Sequence, residues 1–194
     1  MIQPMEEEEV FNWYLEDLGL KIDDLRNRSI LDVGGGMIPN FAEYCLKNGI
    51  TEKIYTIDSN PFGHEYVSYE GDYENPDLEP REGTEHLESK KHYIQAKGEA
   101  IPLKKDMKFD LILMRASLNE KLSITSRIDE ALLHLQLGGE LRIAPVFRGD
   151  FVYDELKVIT NQLSQDHFEI TWDDEVVKRN VSDKVYLLII KKIQ

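Results

Sequence analysis

Apolar and polar positions alternate along the chain in two distinct rhythms. Within residues 5 to 20, Val10, Trp13, Tyr14 and Leu18 recur at helical spacing, Glu6 to Glu9 put negative charge where a helix start favours it, and Gly19 supplies the stop. Such a helix either packs on a sheet edge or lies over a ligand as a lid. Ile30, Leu31 and Val33 then form a short apolar run that reads as a strand, ended by Gly34, Gly35 and Gly36. A helix is expected next, because Pro39 suits a first turn, Asn40 can accept from free amides, and Phe41, Tyr44 and Cys45 recur at helical spacing up to Asn48 and Gly49.

The rest of the chain repeats this alternation. Lys53 to Ile57, His92 to Ala96 and Phe109 to Met114 read as further strands. Residues 126 to 137 read as an amphipathic helix with Ser126 as cap, Ile128, Ala131, Leu132 and Leu135 inward, and Gly138 and Gly139 as its end. GELRIAPV is a fifth strand, a helix follows near Asp150 to Gln165, and Phe168 to Trp172 and Lys184 to Ile190 are β-rich. Residues 61 to 91 break the rhythm, being acidic, proline-bearing and without a sustained period. A long, mostly irregular loop is expected there, with a short helix over Thr84 to Lys91. It reads as an acceptor-binding flap or as a solvated excursion, and Tyr66, Tyr69 and Tyr73 favour the flap.

Composition narrows the class. A chain of 194 residues that is 41% hydrophobic suits one domain with a sizeable core. No run has the length of a membrane span, and the acidic start MIQPMEEEEV is unlike a signal or transit peptide, so a cytoplasmic location is expected. The single cysteine, Cys45, lies on an amphipathic helix and is expected in the core, and the five histidines lack metal-ligand spacing, so no metal site is expected. A net charge of −14 opposes nucleic-acid backbones and anionic membranes. A small molecule or a protein is the better acceptor class.

The chemistry gathers at the glycines. A glycine turn at the carboxyl edge of a strand lets backbone amides approach a ligand, but a dinucleotide fingerprint starting at Gly34 fails at Pro39. Asp32, two residues earlier, is a carboxylate at the end of a core strand, where it needs a hydrogen-bond donor or a cation. Asp58 follows Gly36 by 22 residues, near the roughly 20-residue spacing at which an acidic side chain receives ribose hydroxyls. Its simpler reading is a loop aspartate capping a turn before Pro61.

The D-x-G-x-G arrangement of Asp32, Gly34 and Gly36 resembles motif I of class I S-adenosylmethionine-dependent methyltransferases, small-molecule type 11-like members among them, and departs from it at Ile38, where a third glycine is frequent. The resemblance implies that Asp32 orders the loop and faces the methionine end of the cofactor, and that Asp58, with Ser59 beside it, binds the ribose. Gly98, Glu99 and Ala100 resemble the family's G-D/E-A element, which implies that Glu99 and Ala100 border the adenine. The stretch from Arg115 to Glu120 stands where relatives carry S-x-x-L-H-H, with Asn119 and Glu120 replacing the histidines, and the Gly138-Gly139 unit resembles the family's helix-L-x-x-G-G-x-L-x-I element.

The likeness covers roughly residues 29 to 191. It implies a Rossmann-like, doubly wound, mostly parallel seven-stranded sheet with an antiparallel last strand, in a single methyltransferase domain over 1–194: an N-terminal helix in 1–20, a core in 29–191 and an acidic insertion in 61–91. The expected cofactor is S-adenosyl-L-methionine, bound by Asp32, Gly34, Gly35, Gly36, Asp58, Ser59, Glu99, Ala100 and Arg115. The expected acceptor is a small molecule. Arg115 and Arg148 either neutralise local carboxylates or hold an anionic acceptor, and Glu120 is the candidate base if the acceptor atom carries a proton. Two alternatives stay open. One is a protein that keeps this fold for cofactor binding or scaffolding without transfer; the other is a nicotinamide- or flavin-dependent oxidoreductase, against which Pro39 and Asp32 both stand.

Overall fold

Ile30–Val33, here β1, is buried at every position, as a strand covered by helices on both faces must be. The computed structural model describes residues 7–35, 40–58, 89–90, 92–96, 100–118, 123–163, 165–175 and 184–194. Helices α1 (Glu7–Asp17) and α2 (Ile22–Leu25) precede β1, and α3 (Asn40–Lys47) and β2 (Ile54–Asp58) follow it. Then come β3 (Ser89–Lys90), β4 (Tyr93–Gln95), β5 (Phe109–Arg115), α4 (Ile124–His134), β6 (Leu135–Phe147), α5 (Phe151–Gln162), β7 (Phe168–Asp173) and β8 (Val185–Lys192).

The strands form one sheet in the order β3-β4-β2-β1-β5-β6-β8-β7. Neighbours from β4 to β6 run parallel, whereas β8 is antiparallel to both β6 and β7, between which it lies. The antiparallel last strand is as expected, and it is inserted between its two neighbours. The short β3, antiparallel to β4, adds an eighth strand at the edge.

Alternation along the strands divides the core in two. Leu31, Val33, Ile57, Ile112 and Met114 face α4 and α5 through Ile128, Leu132, Leu156 and Ile159. Ile30, Ile54, Leu111 and Leu113 face the other way, against Phe11, Tyr14 and Leu18 of α1 and Phe41 and Cys45 of α3. Burial of each such large side chain stabilises the fold by about 1.5–3 kcal/mol. Helix α1 is also tied at its end, where Arg142 on β6 donates to the carbonyls of Leu18 at 2.8 Å and Gly19 at 2.9 Å. Both carbonyls lie just past the last turn of α1.

Three local expectations differ from the structure. The helix expected over residues 126 to 137 is α4, which starts earlier with Ser123 as cap, its hydroxyl accepting from the Ser126 amide, and stops at His134. Gly138 and Gly139 do not end that helix; they lie inside β6, near where its register against β5 shifts between Phe109 and Leu111. A Cβ at Gly139 would come within 2.9 Å of the Phe109 carbonyl oxygen, and Gly138 has a φ of +80°, so the pair serves a strand irregularity. Finally, the end of the helix expected over Thr84 to Lys91 is instead strand, since Ser89 and Lys90 pair with Ile94 and Tyr93; residues 84–88 and 91 lie outside the described residues.

Candidate functional site

The carboxyl ends of β1, β2, β4 and β5 lie side by side, and the chain leaves each of them into a loop. Two backbone bonds lock adjacent ends: the Gly34 amide donates to the Ile57 carbonyl at 2.6 Å, and the Ala96 amide donates to the Asp58 carbonyl at 3.0 Å. Asp32 pairs in register with Thr56 on one side and Leu113 on the other. Because side chains alternate across a strand, Asp32, Thr56, Asp58 and Arg115 all point toward the α1 and α3 face.

Both glycines at the turn are required by what surrounds them. Gly34 has a φ of +81°, and a Cβ there would collide with the side chain of Ser117. A Cβ on Gly35 would collide with Asp32 Oδ2 and with Thr56 Cγ2, the latter at 2.6 Å. The turn is therefore packed directly on the carboxylate. Ser117 is held in turn from α4, where Arg127 Nη1 donates to its carbonyl at 3.1 Å, and Ala116 before it has a positive φ of 51°. A non-glycine residue in that region carries strain that the surroundings must hold in place. The hydroxyls of Thr56 and Ser117 are buried without a hydrogen-bond partner among the described residues.

Asp32 has no exposed surface. Among the described residues its carboxylate accepts from one side chain, Tyr14 of α1, whose hydroxyl lies 3.2 Å from each of its oxygens. Burial, partly offset by this bond and by the charge of Arg115, pushes the Asp32 carboxyl up to about 7, and Asp58 adds to the rise. Burial and the Asp32 charge likewise hold the Tyr14 phenol well above its usual range, so it remains a donor. Tyr14 is stacked on Phe41 with 4.3 Å between ring centroids. Cys45, pushed up to about 12 by burial and then by Asp32, is a core thiol and not a nucleophile.

Arg115 closes the arrangement. Its Nε donates to Asp17 Oδ2 at 2.8 Å, and its guanidinium lies over the rings of Trp13 and Tyr14 at 5.5 and 5.2 Å. It therefore joins the end of β5 to α1. Arg148, the other cation singled out in the sequence, is exposed in the turn after β6. The structure brings Asp32, Gly34, Gly35, Asp58 and Arg115 to one edge of the sheet, with Ala100 in the loop after β4. Gly36, Ser59, Glu99 and Glu120 lie outside the described residues.

Tyr14, Asp17, Thr56, Ser117 and Arg127 are site features that the motifs did not reveal. One signal was available for Tyr14, because a phenol on the apolar stripe of a helix needs a partner and Asp32 needs a donor.

No family model matches the sequence, and no curated protein matches it. Solved structures do. A rRNA methylase from Streptococcus thermophilus is similar over 100% of both chains, at 14% identity and a TM-score of 0.54. The N-methyltransferase NodS from Bradyrhizobium japonicum is similar over 97% of this chain and 94% of its own, at 14% identity and a TM-score of 0.53. The 1,6-didemethyltoxoflavin-N1-methyltransferase from Burkholderia thailandensis, solved with 1,6-didemethyltoxoflavin and S-adenosylhomocysteine bound, is similar over 99% of this chain and 80% of its own, at 16% identity and a TM-score of 0.52. With its strand order and its inserted antiparallel strand, the chain has the fold of the class I S-adenosylmethionine-dependent methyltransferases.

Proposed function

We propose that the protein transfers the methyl group of S-adenosylmethionine to a small-molecule acceptor. The observation that carries this reading is the fully buried Asp32 carboxylate packed against Gly35 directly beneath the glycine turn. A dinucleotide would bring its pyrophosphate to such a turn, and a buried carboxylate directly beneath it opposes that charge. A ligand with a cationic end and a ribose suits the same edge. The residues present fit it: the carboxylate of Asp32 for an ammonium, Asp58 at the end of β2 for ribose hydroxyls, the side-chain-free turn for close backbone approach, and Ala100 for the adenine.

The cofactor supplies an already activated methyl on a sulfonium, so the protein's part is positioning and electrostatic fit. Asp32 and Asp58 anchor two ends of the ligand on adjacent, hydrogen-bonded strands, which fixes its direction along the sheet edge. Helix α1, held by Arg115 and Arg142, covers the face toward which both carboxylates point and excludes water from Asp32. Glu120 is the base in this reading if the acceptor atom carries a proton, and Arg148 is the cation available to an anionic acceptor.

Structural neighbours include methylases of RNA as well as enzymes acting on small molecules. A net charge of −14 favours the small molecule, because a polyanion would be repelled. The test is transfer of label from methyl-labelled S-adenosylmethionine to a cell extract separated into low-molecular-weight and RNA fractions. Label in the first fraction supports the reading, and label confined to RNA overturns the acceptor class.

A further inference from the structure

Tyr14 contacts Asp32 in an unusual way. A phenol has one hydrogen, and here it is shared between two oxygens at 3.2 Å each. A full charge-assisted O–H···O⁻ bond would be about 2.5–2.7 Å long and directed at one oxygen. A carboxylate has roughly four lone-pair directions, so Tyr14 centres and orients the group without satisfying it. Among the described residues of the turn, Gly35 packs against the same carboxylate, since a Cβ there would collide with Asp32 Oδ2. The carboxylate therefore borders the glycine turn as well as the Tyr14 hydroxyl.

We propose that Tyr14 is a positioning residue for the ammonium group of the cofactor: by donating to both oxygens it holds the Asp32 carboxylate toward the turn, and α1 thereby supplies a working part of the site. This rests on the reading of the cofactor as S-adenosylmethionine. The helix is suited to the task because Tyr14 is itself fixed, stacked on Phe41 of α3 and lying under the guanidinium of Arg115.

The charge balance around Asp32 makes the role measurable. Arg115 from β5 favours its ionised form, Asp58 from β2 opposes it, and the Tyr14 bond favours it. Burial first, and then the Asp32 charge, pushes Cys45 of α3 toward its neutral form; burial, then Asp58 and then Asp32 do the same to Tyr93 of β4, and Asp17 of α1 is bonded to Arg115. Since the carboxyl sits at about 7, binding of an ammonium below that pH must release a proton. The dissociation constant then rises about tenfold for each pH unit below the midpoint. Without the Tyr14 hydroxyl the midpoint moves up.

The experiment follows the Asp32 carboxyl carbon by NMR across pH in ligand-free protein, for the wild type and Tyr14→Phe, and measures the S-adenosylhomocysteine dissociation constant over the same range by calorimetry. Tyr14→Phe keeps the ring that stacks on Phe41, and incorporation of fluorotyrosine, a stronger donor, gives a second variant that shifts in the opposite sense. The expected result is a midpoint raised by at least about 0.5 pH unit in Tyr14→Phe and lowered with fluorotyrosine, with the pH at which binding weakens moving equally. Asp32→Asn should bind weakly with no pH dependence near neutrality. An unmoved Asp32 midpoint in both variants overturns the role of Tyr14 even if the ligand binds. A wild type that binds no S-adenosylhomocysteine at any pH overturns the cofactor reading beneath it, whatever the midpoint does.

Discussion

Arg115 Nε donates to Asp17 Oδ2 at 2.8 Å, and both side chains are largely shielded from water, at 16% and 6% exposure. An ion pair in that setting gains little over an apolar substitute, but losing one partner strands the other charge. Arg115→Met is therefore expected to lower stability by about 2–4 kcal/mol in urea unfolding, and Asp17→Asn combined with it should recover part of that loss. Additive losses in the two single variants would show that the pair does not hold α1 to the sheet.

Gly35 has no room for even a methyl group, since Asp32 and Thr56 already occupy the position. Gly35→Ala should push Asp32 out of place, costing about 1–3 kcal/mol of stability and weakening S-adenosylhomocysteine binding at least tenfold. Gly149, where a Cβ meets nothing within 4 Å, is the control. Gly149→Ala should leave binding unchanged, because its cost is confined to the φ of +81°.

Asp58 ends β2 and lies on the same face as Asp32. If it receives two ribose hydroxyls, Asp58→Ala removes charge-assisted bonds worth about 1.5–3 kcal/mol each, so affinity should fall at least tenfold while the circular dichroism spectrum stays unchanged. An unaltered dissociation constant would end the ribose assignment.

The Asp32 carboxyl is raised by burial from 3.8 to about 7 in the folded chain. The folded state therefore holds a proton that the unfolded state has released between those two values, and stability linked to this group is complete below pH 4 and lost as pH rises through 7. Asp32→Asn removes that loss. Relative to wild type, the variant should gain stability on the order of 1.4 kcal/mol per pH unit between pH 5 and 7. Parallel stability curves for the two proteins would show that Asp32 ionises normally.

Much of this architecture could be read from the chain because it rests on local chemistry. The strand from Ile30 to Val33, the glycine turn, the acid ending β2 and the apolar stripe of α4 each carry a short-range signal, and each has its place in the fold. What the pattern hid depends on contacts between distant positions. Tyr14 and Asp32 are 18 residues apart, Asp17 and Arg115 are 98 apart, and neither helical nor strand periodicity relates them. The Gly138-Gly139 pair misled for a related reason: glycine after a helical stripe commonly stops a helix, but here the chain turns directly from His134 into β6 and uses the glycines against the Phe109 carbonyl.

Calorimetric titration of the purified protein at pH 8 with S-adenosylhomocysteine, and separately with NAD, decides which cofactor the glycine turn accepts. The site as described predicts saturable binding of S-adenosylhomocysteine at one site per chain, lost in Asp32→Ala, with no measurable heat from NAD. Binding of NAD, or no binding of S-adenosylhomocysteine by the folded protein, would contradict it.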